Sequence, residues 1–388
     1  MAEEKSLSER GEIMKRILNM TLSLIFLLIL TSCAESSTLE KIGMITTVGY
    51  DKGEDEEINT TTLILETDPQ SMDSTNVISS RSLTSKGARI ESNLKSPKKL
   101  ESGQLRVALF GEDLAKDGLF NLADTLSRDH SISDLTFLAI VEGNAGDLIK
   151  HKYPQFSDAG QYVYKEIEQN IKGEVISSPT LHETVHDYYS VGVDPLLPLL
   201  KLEDDMINIT GMALLSGDKM VGRISPSDSF YVKLVSDRFK AGNFEITFKN
   251  GEEDVLFPSL PPSADIAVAL DTIKSKSNIE LIDPDSMTFN LNVQINARLL
   301  EVNRDINLSK NENLELIEKK IRKKITKEIE QLIQYSQSKQ SDVFGFGEEY
   351  RTKEGHSKLT DEEWHDRFKD INVKVNTKFV IIRTGVVE

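Results

Sequence analysis

The 388 residues contain a single cysteine, Cys33. One thiol forms no internal disulfide and cannot build a Cys-based zinc cluster, so both frameworks are excluded. Aromatic residues make up only 6% of the chain, with one tryptophan, Trp364, which leaves little for the stacking platforms of sugar- or base-binding surfaces. Positive charge is scarce as well. The 46 Lys and Arg against 63 Asp and Glu give a formal −17, a balance that repels phosphate backbones and anionic lipid headgroups, so nucleic acid is not an expected partner. There is no P-loop, no G-x-S-x-G elbow and no repeat of a solenoid period. The N-terminal apolar run covers 14 residues, Ile17 to Leu30, and about 20 are needed to cross a hydrocarbon core.

That run reads instead as an address. Lys15 and Arg16 precede it and small polar residues follow it, which is the order of a secretory signal. Glu3, Glu4, Glu9 and Glu12 are unusual for a positively charged leader, which makes Met14 an alternative translation start. Leu30-Thr31-Ser32-Cys33 resembles the bacterial lipobox. The resemblance implies residues 1–32 as a lipoprotein signal peptide, cleavage before Cys33, and a diacylglycerol thioether on Cys33 as lipid attachment. Two acyl chains at ~0.8 kcal/mol per buried CH₂ hold a protein at a membrane where one holds it marginally. Residues 33–38 read as the tether, and the acidic body behind it is expected to stand off the bilayer. The alternative is an ordinary secretory signal with a chance cysteine at the cut.

The remainder is expected to be α+β: three tandem mixed α/β domains, an N-terminal one at 39–203, a hairpin-rich one at 204–263 and a C-terminal one at 264–388. Apolar runs at Ile42–Tyr50 and Ile58–Leu65 flank a turn-rich acidic stretch and predict an antiparallel pair. "QLRVALFG" and "DLTFLAIVEG" predict buried strands, and Leu114 to Leu126 show helical spacing between them. Helices are predicted near 88–94, 157–169 and 180–190. Pro195 and Pro198 read as a boundary, Ser216-Gly217-Asp218 as a hairpin turn, and Asn250-Gly251 as another. A long strand follows with Phe289, Leu291, Val293, Ile295 and Leu299 on one face. Ser309 and Glu312 predict a capping box for a helix over 310–336 whose stripe is Leu314, Ile317, Ile321, Ile325, Ile329 and Leu332. A short helix at 361–368 and a closing strand end the chain.

Among motifs, His182, Glu183 and His186 match H-E-x-x-H, in which two imidazoles one helical turn apart bind zinc and the Glu acts as general base. A third ligand is needed. Glu203, Asp204 and Asp205 lie past Pro195 and Pro198, not on a second ligand helix, so the bland reading is a surface helix packed through Leu181, Val185 and Tyr188 or Tyr189. Glu54 to Glu57 lack the spacing of a calcium loop and read as a solvated turn. Gly345-Phe346-Gly347 lacks the setting of a nucleotide loop and reads as a turn. Lys319, Lys320, Arg322, Lys323 and Lys324 read as the solvated face of the long helix.

Four blocks taken together resemble the Ger(x)C family, the C-subunit lipoproteins of spore germinant receptors. They are Cys33 with "EKIGMITTVGYDKG"; "LRVALFGEDLAKDGLFNLADTLSRD"; "SSPTLHETVHDYYSVGVDPLLPLL" with "ITGMALLSGDKMVGRIS"; and "QSKQSDVFGFG" with "WHDRFKDINVKVNTKFVIIRTG". The resemblance implies a non-enzymatic subunit without cofactor or metal, acting with two polytopic membrane partners, A and B. Its place would be the outer face of the inner spore membrane. Only Cys33 carries over as a site residue. Two readings of other classes are a solute-binding lipoprotein of a transporter, which needs two doubly wound lobes, and a lipid-anchored zinc peptidase.

Overall fold

A computed structural model describes residues 14–16, 19–21, 41–66, 75–154, 156, 158–236, 240, 242–249, 265–304, 306–353 and 359–384. Cys33, the tether and the Asn250-Gly251 turn lie outside the described residues. The chain divides into two compact units, Met1–Ile42 and Gly43–Glu388. Among the described residues, no helix is long and apolar enough to cross a membrane.

The second unit is α+β and carries two sheets. The first has the strand order β3-β2-β1-β5-β6-β7-β8-β9, with β4 (Lys99–Glu101) also paired to β1. β1 (Ile42–Lys52) and β2 (Ile58–Leu65) form the expected antiparallel pair. β3 (Thr75–Ser82) extends it at the edge. β5 (Val107–Gly111) and β6 (Phe137–Val141) are buried at every residue, as continuous apolar runs are when helices cover both faces of a parallel sheet.

Pleating sends alternate side chains to opposite faces. Leu109, Ala139, Val141, Leu200 and Met212 join a core with Leu148 and Ile149 of α4 (Ala145–Lys150) and Val163 and Ile167 of α5 (Ala159–Lys172). Ala108, Phe110, Leu138, Ile140 and Leu199 join the other core, with Ala115 of α2 (Glu112–Asp117), Leu122 and Leu126 of α3 (Phe120–Ser127), and Leu181 of α6 (Leu181–Tyr189). The predicted single helix over 114–126 is thus two helices. Gly118 divides them with φ +134°, and a Cβ there would stand 2.5 Å from the Asp218 carboxylate. α1 (Ser85–Lys95) follows β3, with Thr84 accepting the Gly87 N–H as its cap.

β7 (Leu196–Glu203) and β8 (Met206–Ser216) pair across the expected boundary at 203/204, and β9 (Lys219–Ile224) pairs with β8. The described part of 204–263 is therefore shared between the two sheets. Pro198 does not interrupt β7, for a local reason. Pro198 sits inside β7 opposite Met212, and β7 meets β6 only from Leu199 onward, so the missing N–H falls where the β6 ladder has not begun.

The second sheet runs β10 (Gly242–Phe248), β11 (Ile266–Asp283), β12 (Thr288–Val302), β13 (Asn372–Thr384). β12 and β13 are parallel, and the crossover between them contains α8 (Asn311–Ser338), α9 (Phe346–Lys353) and α10 (Asp361–Phe368). Ile317, Ile321, Ile325, Ile329 and Leu332 of α8 share a core with Phe289, Leu291, Val293, Ile295 and Leu299 of β12. Each such buried side chain contributes roughly 1.5–3 kcal/mol. The expected Ser309–Glu312 capping box does not form. The N-cap is Lys310, without a side-chain cap, and the Ser309 N–H turns instead to Asn307 Oδ1 at 3.0 Å. α7 (Pro226–Ser236) packs against β8, β11 and α8.

Candidate functional site, a buried carboxylate junction

A buried polar cluster lies where the second sheet's crossover meets the first sheet. After α8, Gln340 takes φ +51° and Gly345 φ +82°, and the chain turns back into α9. Ser341 is buried in that turn. Its hydroxyl donates to Leu215 O at 2.5 Å, and Ser336 donates to the Ser341 carbonyl.

Asp342, 0% exposed, organises the turn. Its Oδ1 accepts the N–H groups of Phe344 (3.2 Å) and Gly345 (2.9 Å). Its Oδ2 accepts Gly347 N–H at 2.9 Å and the Trp364 indole N–H at 3.0 Å. Four donors on one carboxylate satisfy a charge that burial alone would exclude.

Asp194, just before β7, answers it from the first sheet. Asp194 N–H donates to Asp342 O at 2.8 Å, and Asp342 N–H donates to Asp194 Oδ2 at 2.7 Å. The same carboxylate accepts Gly217 N–H of the β8–β9 turn at 2.9 Å, and His365 Nε2 lies 2.8 and 3.0 Å from its two oxygens. The other ring nitrogen of His365 faces Asp361 at 3.3 Å. Gly192, φ +99°, and Gly347 pack backbone to backbone. A Cβ on Gly347 would stand 2.3 Å from Gly192 Cα and 2.5 Å from the Trp364 ring.

Burial pushes the Asp342 carboxyl up to about 7, the N–H donors hold it down, and the Asp194 charge adds to the rise. Burial works against a charged His365, but the hydrogen bond and charge of Asp194, with Asp361 and Asp342 behind them, outweigh it and raise its affinity for a proton. Both groups bind protons more tightly folded than unfolded, so both add stability at low pH and lose it as pH rises through their folded values. The expected result is a chain that loses stability from about pH 4, where the unfolded carboxyl ionises, to about 7, where Asp342 ionises in the fold, with His365 carrying the loss further upward. Unfolding midpoints across that range check it, and Asp342→Asn is expected to flatten the slope.

The arrangement can clamp, and its chemistry is closed on itself: acceptors and donors are matched between the two sheets. Among the described residues, no group of three His, Cys, Asp or Glu is placed to hold a metal ion. The H-E-x-x-H residues lie on α6, with His182 and His186 exposed. Glu183 closes a capping box with Thr180, taking the Thr180 hydroxyl at 2.7 Å, and His186 Nδ1 faces Asp187 at 3.1 Å. The acidic residues 54–57 form a turn closed by Gly53 N–H to Glu57 O at 2.8 Å. Lys319, Arg322 and Lys323 are exposed on α8.

Asp194, Asp342 and His365 carried no motif. The signals that pointed to them were indirect: the lone tryptophan beside His365, and the glycines 345 and 347 behind an aspartate. All of these residues fall in the third and fourth blocks quoted above, which the fold brings together.

Comparison with known proteins divides the chain between β7 and β8, within the first sheet. Residues 35–202 match the model of the spore germination protein N-terminal domain, and residues 210–385 that of the spore germination B3/GerAC-like C-terminal domain. The spore germination protein GerQC of Bacillus cereus is 25% identical over 368 residues, covering 95% of this chain and 99% of that one. The crystal structure of the GerBC protein superimposes with a TM-score of 0.54 at 17% identity, over 86% of this chain and 96% of that one, which is a likeness of fold.

Proposed function

Because the chain belongs to the Ger(x)C family of spore germination proteins, we propose that it is the lipid-anchored, non-catalytic C subunit of a nutrient germinant receptor. In this reading a diacylglycerol on Cys33 holds the acidic body at the outer face of the inner spore membrane. There it works with the A and B membrane subunits, as scaffold or coupling element. The observation that carries the reading is how the chain uses its buried polar groups: Asp194, Asp342 and His365 join two sheets into one body. A coupling subunit needs such rigidity, since a push at one sheet must arrive at the other.

The anchor has a direct chemical test. Mass spectrometry of the N-terminal peptide from spore membranes is expected to find Cys33 first in the chain and carrying a diacylglycerol thioether. A mature N-terminus elsewhere, with a free Cys33 thiol, overturns the anchor.

A further inference from the structure

α1 is built inside out. It packs on the sheet through Ala88 and Ser92, with Ser92 Oγ donating to Ser80 Oγ at 3.0 Å, and it leaves its large apolar side chains outside. Ile90 is 65% exposed and Leu94 83% exposed, and Leu83 just ahead of the helix is 64% exposed. Lys86, Ile90 and Leu94 follow one another at intervals of four, so they form a single ridge. An amphipathic helix normally turns such residues inward.

The surroundings of the ridge differ in charge from the rest of the chain. Between residues 81 and 99 stand Arg81, Lys86, Arg89, Lys95, Lys98 and Lys99 against Glu91 alone, in a chain of formal charge −17. Carboxylates answer all six of them at the rim, Glu57 to Arg81, Asp129 to Lys86 and Arg89, Glu91 to Lys95, Glu66 to Lys98 and Glu101 to Lys99, so the patch is near neutral where the chain as a whole is acidic, and the aliphatic stems remain available to lie along an apolar phase.

Chain connectivity says what that phase is. Gly43, where the second unit begins, lies against Leu100 and Lys98: a Cβ on it would be 2.9 Å from the Leu100 side chain and 3.9 Å from Lys98 Cβ. Lys98 comes three residues after the end of α1. Ten peptide steps separate Cys33 from Gly43, at most about 35 Å of extended chain. A lipid on Cys33 therefore keeps this corner of the body within about 35 Å of the bilayer.

We propose that the Leu83–Ile90–Leu94 ridge of α1 is a membrane-docking surface, seated in the interfacial zone of an anionic bilayer with its flanking lysines at headgroup level. Apolar insertion and cationic flanks are the two contributions that hold an interfacial helix. The acidic body then does not stand off uniformly; it rests on one helix. The inference depends on the Cys33 anchor, and the experiment separates the two.

The full lipidated chain carrying Leu94→Cys is reconstituted on vesicles of phosphatidylethanolamine and phosphatidylglycerol, with an environment-sensitive fluorophore on the introduced thiol. Cys33 is blocked by its lipid. Lys327→Cys on the exposed face of α8 is the reference. The proposal expects vesicle flotation, several-fold stronger quenching of the position 94 label by lipid-borne than by water-borne quencher, and the reverse at position 327. Flotation with the position 94 label still open to the water-borne quencher overturns the docking and leaves the anchor standing. A label shielded from both quenchers means a protein, such as a second copy, covers the ridge, and also overturns it. Failure to float removes the anchor and the docking together.

Discussion

Asp342→Ala is expected to destabilise the folded chain by about 3–5 kcal/mol, the magnitude seen when one partner of a buried, fully bonded charge network is removed. Four donors lose their acceptor at once: the N–H groups of Phe344, Gly345 and Gly347, and the indole N–H of Trp364. Water cannot replace it where Asp342 and Trp364 are both 0% exposed. In a chain of this size the loss corresponds to a fall on the order of 10 °C in midpoint, measured by thermal unfolding. Asp342→Asn keeps one carbonyl oxygen and is expected to fall between wild type and alanine. A midpoint within a degree or so of wild type for the alanine variant would contradict the clamp. Because Asp194 reaches the same turn from the first sheet, Asp194→Ala is expected to behave alike, and the double variant to lose less than the two singles together.

Cys33→Ala is expected to abolish stable membrane association of the chain in cells lacking the A and B subunits. On the proposed diacylglycerol anchor, two acyl chains contribute many buried CH₂ groups at ~0.8 kcal/mol each, so their loss shifts the partition by orders of magnitude. An uncleaved leader could still hold the variant by its 14 apolar residues. A second version therefore places an ordinary cleavable secretory signal ahead of Ala34. Fractionation of that version is expected to recover the chain in the soluble pool, and unchanged retention would remove the lipid from the account.

How far the sequence announced this fold follows from how each element is held. β5, β6 and β12 were readable because their own side chains face core on one or both sides, and the stripe of α8 because isoleucines recur at every turn. β3 was not, since "TNVISSRS" is polar and becomes a strand by pairing with β2. β11 has the same character in its outer half, where Lys and Ser alternate. Gly118 stands as one residue in a helical run, and its positive φ, with the Asp218 carboxylate where a Cβ would stand, divides α2 from α3. The polar junction was the least legible part. Asp194 and Asp342 are 148 residues apart, and nothing local in either segment says that one carboxylate waits for the other's backbone. The outward ridge on α1 was hidden for the converse reason: its helical spacing is ordinary, and only the packing of Ala88 and Ser92 shows that the apolar side faces away.

The central claim is that this chain is required for a receptor's response to nutrients. It is tested most directly by deleting its gene in a sporulating host stripped of redundant receptors and following loss of spore refractility after nutrient addition. The account predicts dormant spores of normal yield that fail to respond to the receptor's nutrients, with the response restored by the wild-type gene in trans. Spores that germinate at the wild-type rate with every nutrient would contradict it.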